Sequence, residues 1–369
     1  MLRYLETQVR KDLAKKMVFV GGPRQVGKTT LAMHLLREVR GYLNWDLAEH
    51  REAILRREIP GTPLLVLDEI HRYRSWRNYL KGLYDRPGRK QRILVTGSGR
   101  LDLYRFGGDS LQGRYHYLRL HPLSAREIGI RTRKELRDLL ELGGFPEPFL
   151  SGSRTEAKRW SREHRTRLIR EDVVDLERVE DLGNLELLVL RLPELVGSPL
   201  SVNALREDLQ LGHKTVLNWI RVLERLYSIF RVAPHGAPRL RAVKKAQKHY
   251  HFDWSLVPEE PARFENLVAS HLLKWVHFEV DARGRDLELR YFRDIEGREV
   301  DFVVVEDRKP LLFVECKWGD APLDPSLRYL KARFPSTEAW QVSVKGTKDY
   351  VSAEGIRVAP ALELLKGLV

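Results

Sequence analysis

With one cysteine, Cys316, among 369 residues, no intrachain disulfide can form, so the fold must close on its own core and a reducing, cytoplasmic setting is expected. No apolar run approaches the roughly 20 residues needed to span a bilayer. The opening residues, MLRYLETQVRKDL, mix polar and apolar side chains instead of forming a signal peptide, so a soluble chain with no membrane partner is expected. The 12 histidines never adopt the spacing with cysteine that a structural metal site requires, and His249 and His251 read as a strand or loop pair. Acidic residues are in deficit, 51 against 65 Lys plus Arg, which leaves a net charge of +14 and favours polyanionic partners such as nucleic acid. Repeats and low-complexity tracts are absent, and 43% hydrophobic residues suffice for two or three packed domains.

The segment from Gly22 to Thr29 reads GPRQVGKT and fits the phosphate-loop pattern G-x-x-x-x-G-K-[ST] at every fixed position. An apolar run, Met17 to Val20, feeds into it and a helix-patterned segment, Leu31 to Val39, leaves it, which is the context the pattern needs. Gly22 and Gly27 let the backbone of Pro23, Arg24, Gln25 and Val26 curl so that N–H groups face phosphate oxygens. The helix carrying Lys28, Thr29 and Thr30 adds the positive end of its dipole. Lys28 is expected at the β and γ phosphates of ATP, and the Thr29 hydroxyl on Mg²⁺. A partner carboxylate follows, because Leu64 to Leu67 is a buried-strand pattern ending in Asp68 and Glu69. Asp68 is placed to hold Mg²⁺, and Glu69 to orient or deprotonate the attacking water.

Strands are expected at Met17 to Val20, Gly41 to Leu47, Leu64 to Leu67, Arg92 to Thr96 and Tyr115 to Leu120, mostly separated by helix-length segments. That rhythm belongs to a parallel sheet covered on both faces. Beyond the fourth strand, a lone Gly-x-Gly is too little for a dinucleotide fold. Ser98 or Thr96 would instead serve there as a γ-phosphate sensor.

Together, GPRQVGKTTL, LLVLDEIHRYRSW, LVTGSGR, LQGRYHYLRLHPLSAREI and GGFPEP resemble the prokaryotic AAA-type ATPases that carry a winged helix and a C-terminal domain similar to PD-(D/E)xK nucleases. The likeness runs over nearly the whole chain. It implies an α/β fold class with a P-loop AAA-type core at residues 1–150, a helical lid or connector at 151–183, a winged helix-turn-helix at 184–238 and a restriction-endonuclease-like domain at 239–369. It further implies an arginine that completes the ATP site, for which Arg114 and Arg170 are candidates.

In the middle region, Ser201 can cap a helix from Val202 to Leu209, Lys214 to Leu226 reads as a second helix, and Ser228 to Pro234 as a wing. Lys214 and Arg221 on the second helix, with Lys244, Lys245 and Lys248 of the basic stretch that follows, are candidate DNA contacts. The same module could instead pack as a lid or dock a partner.

A C-terminal helix is expected from Phe264, with strands at Leu287 to Phe292, Val300 to Val305, Leu311 to Trp318 and Trp340 to Val344, and a helix from Pro325 to Phe334 before the last of these. Glu315 and Lys317 lie two apart and share one face of their strand, with Cys316 on the other. If residues 306–310 form a hairpin loop centred on Arg308, Asp301 falls opposite Glu315. Asp301 and Glu315 would suit Mg²⁺, Glu265 could add a third carboxylate, and Lys317 could stabilise charge on a phosphate. A vestigial, salt-bridged cluster in a binding domain is the other outcome. The expectation is thus an ATPase that binds DNA, with a nuclease-like domain that is active or silent. The alternative is an ATP-gated switch whose C-terminal domains hold protein partners. The oligomeric state is open.

Overall fold

A computed structural model describes residues 3–88, 90–97, 111–173, 181–236 and 247–369. The chain divides into two compact units, residues 1–122 with 225–227, and residues 123–224 with 228–369. The first division therefore falls at 122 and not at the expected 150. Among the described residues no helix is long and apolar enough to cross a membrane.

The first unit is built on five parallel strands: β1 (Met17–Gly21), β2 (Tyr42–Asn44), β3 (Leu64–Asp68), β4 (Arg92–Thr96) and β5 (Tyr115–Arg119), in the order β2-β3-β4-β1-β5. The continuous apolar runs of β1, β3 and β4 are buried along nearly their whole length, as strands covered on two faces require. Phe19, Leu65, Leu67, Ile93 and Val95 enter one core with Ile70, Trp76 and Leu80, while the alternating Val18, Val20, Val66 and Leu94 are buried on the other face. From β1 the chain crosses to the far edge, returns through β3 and β4, and then places β5 on the opposite side of β1. Strand order thus reverses at β1, and in open sheets of this kind ligands bind outside the carboxyl ends of the strands at such a reversal. The expected β2 shrinks to three residues.

In the second unit an eight-stranded mixed sheet runs β12-β13-β11-β10-β9-β8-β6-β7. Its strands are β6 (Ile229–Pro234), β7 (Lys248–His251), β8 (Leu287–Arg293), β9 (Glu299–Glu306), β10 (Lys309–Lys317), β11 (Glu338–Ser343), β12 (Tyr350–Val351) and β13 (Arg357–Pro360). The helices Val202–Asp208 and His213–Arg225 form as expected, the first capped by Ser201, whose hydroxyl accepts from the Ala204 N–H. The strand after them is not a self-contained wing. Ile229, Phe230 and Val232 of β6 are buried, and the strand satisfies its backbone by pairing antiparallel with β7 and parallel with β8. An expected boundary at 238/239 would therefore cut through one sheet. The 24-residue helix Glu260–Arg283 begins earlier than expected, at a turn carrying Pro261, and buries Phe264, Leu267, Val268, Leu272 and Val276.

The β9–β10 hairpin differs from the expected five-residue loop. Glu306 pairs with Lys309 around a two-residue turn, Asp307 and Arg308, both at positive φ (47° and 70°), the conformation of the tightest hairpin connections. A bulge between Pro310 and Leu312 then adds one residue to β10, so that Val304 pairs with Leu312 and Phe302 with Val314. One further step in this register sets Asp301 opposite Glu315, as expected.

Candidate functional site

In the first unit the phosphate-loop motif forms the turn between β1 and the helix Lys28–Leu35. Gly22 has φ +139°, and a Cβ there would sit 2.2 Å from the carbonyl oxygen of Leu120, so only glycine fits this approach of the loop to the end of β5. Gln25 and Gly27 also hold positive φ. The buried Lys28 turns its Nζ onto the carbonyls of Gly22 (3.0 Å) and Pro23 (2.6 Å). Arg3 donates to the Val26 carbonyl from outside the motif, bracing the loop, while Thr29 and Thr30 lie on its exposed side.

Sheet order brings the second motif to the first. Because β4 lies between β1 and β3, Thr96 is the register partner of both Val20 and Asp68. The Asp68 carboxylate accepts from Thr96 Oγ1 (2.6 Å), Thr29 Oγ1 (2.8 Å) and the Tyr42 hydroxyl (2.7 Å). Thr29 and Asp68 are thus joined across 39 positions of sequence, and both offer the hard oxygen donors that Mg²⁺ prefers. Glu69 follows in the left-handed region (φ 55°), held by its N–H on the Thr96 carbonyl. Burial raises its carboxyl to about 7, with Lys28 pulling the other way and Asp68 reinforcing the rise. His71 Nε2 lies 3.5 Å from Glu69 Oε2. Of the two sensor candidates, Thr96 is buried against Asp68, and Ser98 lies outside the described residues. Of the arginine candidates, Arg114 forks onto Asp85 (2.9 and 3.0 Å) and Arg170 meets Glu186 at 3.4 Å.

The second unit gathers Asp301, Glu315, Lys317 and Glu265, together with three charged residues that sequence reasoning did not place there: Lys248, Glu299 and Asp324. Lys248 Nζ stands 2.6 Å from Glu299, 3.2 Å from Glu265 and 3.6 Å from Asp301. Lys317 Nζ lies 2.8 Å from both Glu315 and Asp324. Asp301 Oδ2 accepts from the Cys316 N–H (2.9 Å), Glu315 Oε2 from the Asp301 N–H (3.3 Å), and Glu265 Oε1 from the Tyr250 hydroxyl (2.7 Å). Burial, and then repulsion from Asp301, push the carboxyls of Glu265 and Glu315 upward. Burial draws the Lys248 ammonium down, but Glu265, Asp301 and Glu299 outweigh it and leave its pKa well above the ordinary value.

As a seat for Mg²⁺ this cluster does not fit. The carboxylate oxygens named above already bind ammonium groups or N–H and O–H donors, and an ammonium stands where their charges converge. Among the described residues no group of three or more His, Cys, Asp or Glu side chains is arranged to hold a metal ion.

The candidate DNA contacts separate. Lys214 and Arg221 are exposed on the helix His213–Arg225. Lys244 and Lys245 lie outside the described residues. Lys248 must be withdrawn as a phosphate contact, because its side chain is 1% exposed and committed to carboxylates. Its placement was illegible because a lysine ending a basic run reads as surface. The only local hint was the Lys-His-Tyr-His sequence of a short buried strand, in which His249 and His251 are also buried. A further basic face, Lys158, Arg162 and Arg165 of the helix Arg154–Arg167, borders a cavity of about 360 Å³ with Arg263 on its other wall.

Residues 14–129 match the family model described as an AAA domain, and residues 133–259 and 262–364 match two models each described as a domain of unknown function. The uncharacterized protein Rv2008c of Mycobacterium tuberculosis is 26% identical over 326 residues, covering 85% of this chain and 73% of its own length. The uncharacterized protein MJ1544 of Methanocaldococcus jannaschii is 22% identical, covering 82% and 75%. Among solved structures, a Walker-type ATPase of Pyrococcus abyssi is similar at TM-score 0.42 and 14% identity, covering 70% of this chain and 94% of its own. RuvB of Thermotoga maritima is similar at TM-score 0.30 and 16% identity, covering 62% and 88%. Residues 14–129 therefore carry an AAA-type P-loop fold.

Proposed function

We propose that the chain binds and hydrolyses ATP at the carboxyl edge of β1, β4 and β3, and that its second unit binds DNA without cutting it. The junction of Thr29, Asp68 and Thr96, with Glu69 beside it, is the observation that carries the ATPase reading. Lys28 would exchange its bonds to the loop carbonyls for phosphate oxygens, and the loop N–H groups would receive the remaining phosphate charge. Thr29 and Asp68 would hold Mg²⁺, which supplies charge neutralisation on the phosphates. Thr96 and Tyr42 keep the Asp68 carboxylate oriented, and Glu69 takes a proton from the attacking water.

Two substitutions test this. Lys28→Ala should lose nucleotide affinity. Glu69→Gln should retain ATP binding but fall in turnover by about 10²–10⁴, the usual contribution of a general base. Equal turnover in Glu69→Gln and the parent would remove Glu69 from the chemistry.

For DNA, the support is the net charge of +14 and the exposure of Lys214 and Arg221. Asp301, Glu315, Glu265 and Lys317 are not assigned a metal-dependent cut, because Lys248 stands among the acids. Binding should weaken as salt rises, and replacing Lys214 and Arg221 by neutral residues should flatten that dependence by roughly one unit for each phosphate no longer neutralised. A slope unchanged in that variant would direct attention to Lys158, Arg162 and Arg165. No binding at low salt would favour an ATP-gated switch with protein partners.

A further inference from the structure

Among the described residues, Lys248 is the one ammonium that meets three carboxylates at once, and those carboxylates come from two separate elements. Glu299 and Asp301 project from β9, Glu265 from the helix Glu260–Arg283, and Lys248 itself from the edge strand β7. An ammonium has three N–H donors and no acceptor; here it reaches Glu299 and Glu265 at hydrogen-bond distance, and Asp301, at 3.6 Å, completes the shell as an ion pair. The nearest contact, 2.6 Å to Glu299, is a charge-assisted hydrogen-bond distance. The Tyr291 ring lies 5.6 Å from the same Nζ and covers it with an electron-rich face. With its side chain 1% exposed, Lys248 would be prohibitively costly to bury as a charge without this shell, and the shell would be equally costly without a cation.

We propose that Lys248 is the resident cation of this acid cluster, a tethered ammonium occupying the place that a hard divalent ion would take among Glu265, Glu299 and Asp301. The native chain then takes up no divalent ion there, and removing the ammonium creates a site for one. A tethered cation differs from a bound one in two ways. It cannot be diluted or chelated away, and it brings one charge to an arrangement of five carboxylates, Glu265, Glu299, Asp301, Glu315 and Asp324, whose only other ammonium among the described residues is Lys317. Replacing Lys248 by a neutral side chain leaves the oxygens of Glu265 and Asp301 without their ammonium and Glu299 with Arg293 alone, at 3.7 Å, a surplus of hard oxygen donors of the kind that Mg²⁺, Mn²⁺ or Ca²⁺ selects.

This role of Lys248 is independent of ATP hydrolysis by the first unit. The test is Mn²⁺ titration of the nucleotide-free, full-length chain by calorimetry and by Mn²⁺ electron paramagnetic resonance, comparing the parent, Asp301→Asn, Lys248→Met and Lys248→Met/Asp301→Asn. Any Mn²⁺ held by the first unit is common to all four. Lys248→Met should bind one more Mn²⁺ per chain than the parent, the double variant should lose it, and parent and Asp301→Asn should bind alike. Thermal unfolding gives a second readout: Mn²⁺ should raise the melting temperature of Lys248→Met by more than it raises that of the parent, while the charge-conserving Lys248→Arg should gain no site. Mn²⁺ binding by the parent that Asp301→Asn abolishes would overturn the proposal. So would a folded Lys248→Met with no added site. If Lys248→Met folds only when Mn²⁺ is supplied, the ion is replacing the ammonium as proposed. If Lys248→Met and Lys248→Gln both fail to fold with or without Mn²⁺, the ion cannot stand in for the side chain and the proposal falls.

Discussion

Glu69 shows how a neighbour in sequence becomes a different chemical object in the fold. Asp68 ends β3 with its carboxylate held by three hydroxyls, whereas the next residue turns into the left-handed region and is partly withdrawn from solvent, its side chain 24% exposed, and this desolvation lifts it to about 7. A base at that value is half ionised near neutrality. The specificity constant for ATP should therefore rise tenfold per pH unit below about 7 and level off above it, and a pH profile of Glu69→Gln should lack this limb. The stability effect runs the opposite way. The folded chain holds this proton more tightly than the unfolded chain does, so Glu69 favours the fold fully below its ordinary value of 4.5, and that contribution fades as pH rises through about 7. Lys28, Asp68 and Glu69 were legible in the sequence because each motif is contiguous and adjoins the end of a strand. Thr96 was legible only as a residue near the phosphate loop, since its bond to Asp68 depends on which strand lies between which.

The β9–β10 hairpin shows an element whose outcome could be read although its construction could not. A five-residue loop centred on Arg308 and a two-residue turn followed by a one-residue bulge bring the same residues face to face, because the extra residue in β10 restores the offset that the tighter turn removes. Alternation of apolar residues reports which face each side chain takes, and it is silent on where the ladder is interrupted. Deleting Leu311 should abolish the bulge and leave Glu315 opposite Asp301, whereas inserting one alanine between Val314 and Glu315 should set the alanine opposite Asp301 and turn Glu315 and Lys317 to the opposite face, away from Asp301 and Asp324. The separated charges should cost about 3–5 kcal/mol, visible as a lowered or lost thermal transition. Deleting a residue from a loop with no strand register to keep, such as Gly319 in the connection after β10, should cost much less.

At the scale of the whole chain, the alternation of strands and helices in the first unit was legible because parallel strands covered on both faces are written as apolar runs. The partition of the second unit was not, because β6 and β7 precede the helix Glu260–Arg283 yet complete the sheet that follows it. Nothing local in Ile229–Pro234 or Lys248–His251 reports that the sheet they join is continued on the far side of a 24-residue helix. This has a practical bearing on dissecting the protein. A fragment begun at residue 260, where that helix offers an inviting start, would leave behind β7 and with it Lys248 and Tyr250, stripping Glu265, Glu299 and Asp301 of their ammonium. Such a fragment should either precipitate or scavenge divalent ions, and a metal affinity measured on it would be an artefact of the cut, absent from the intact chain.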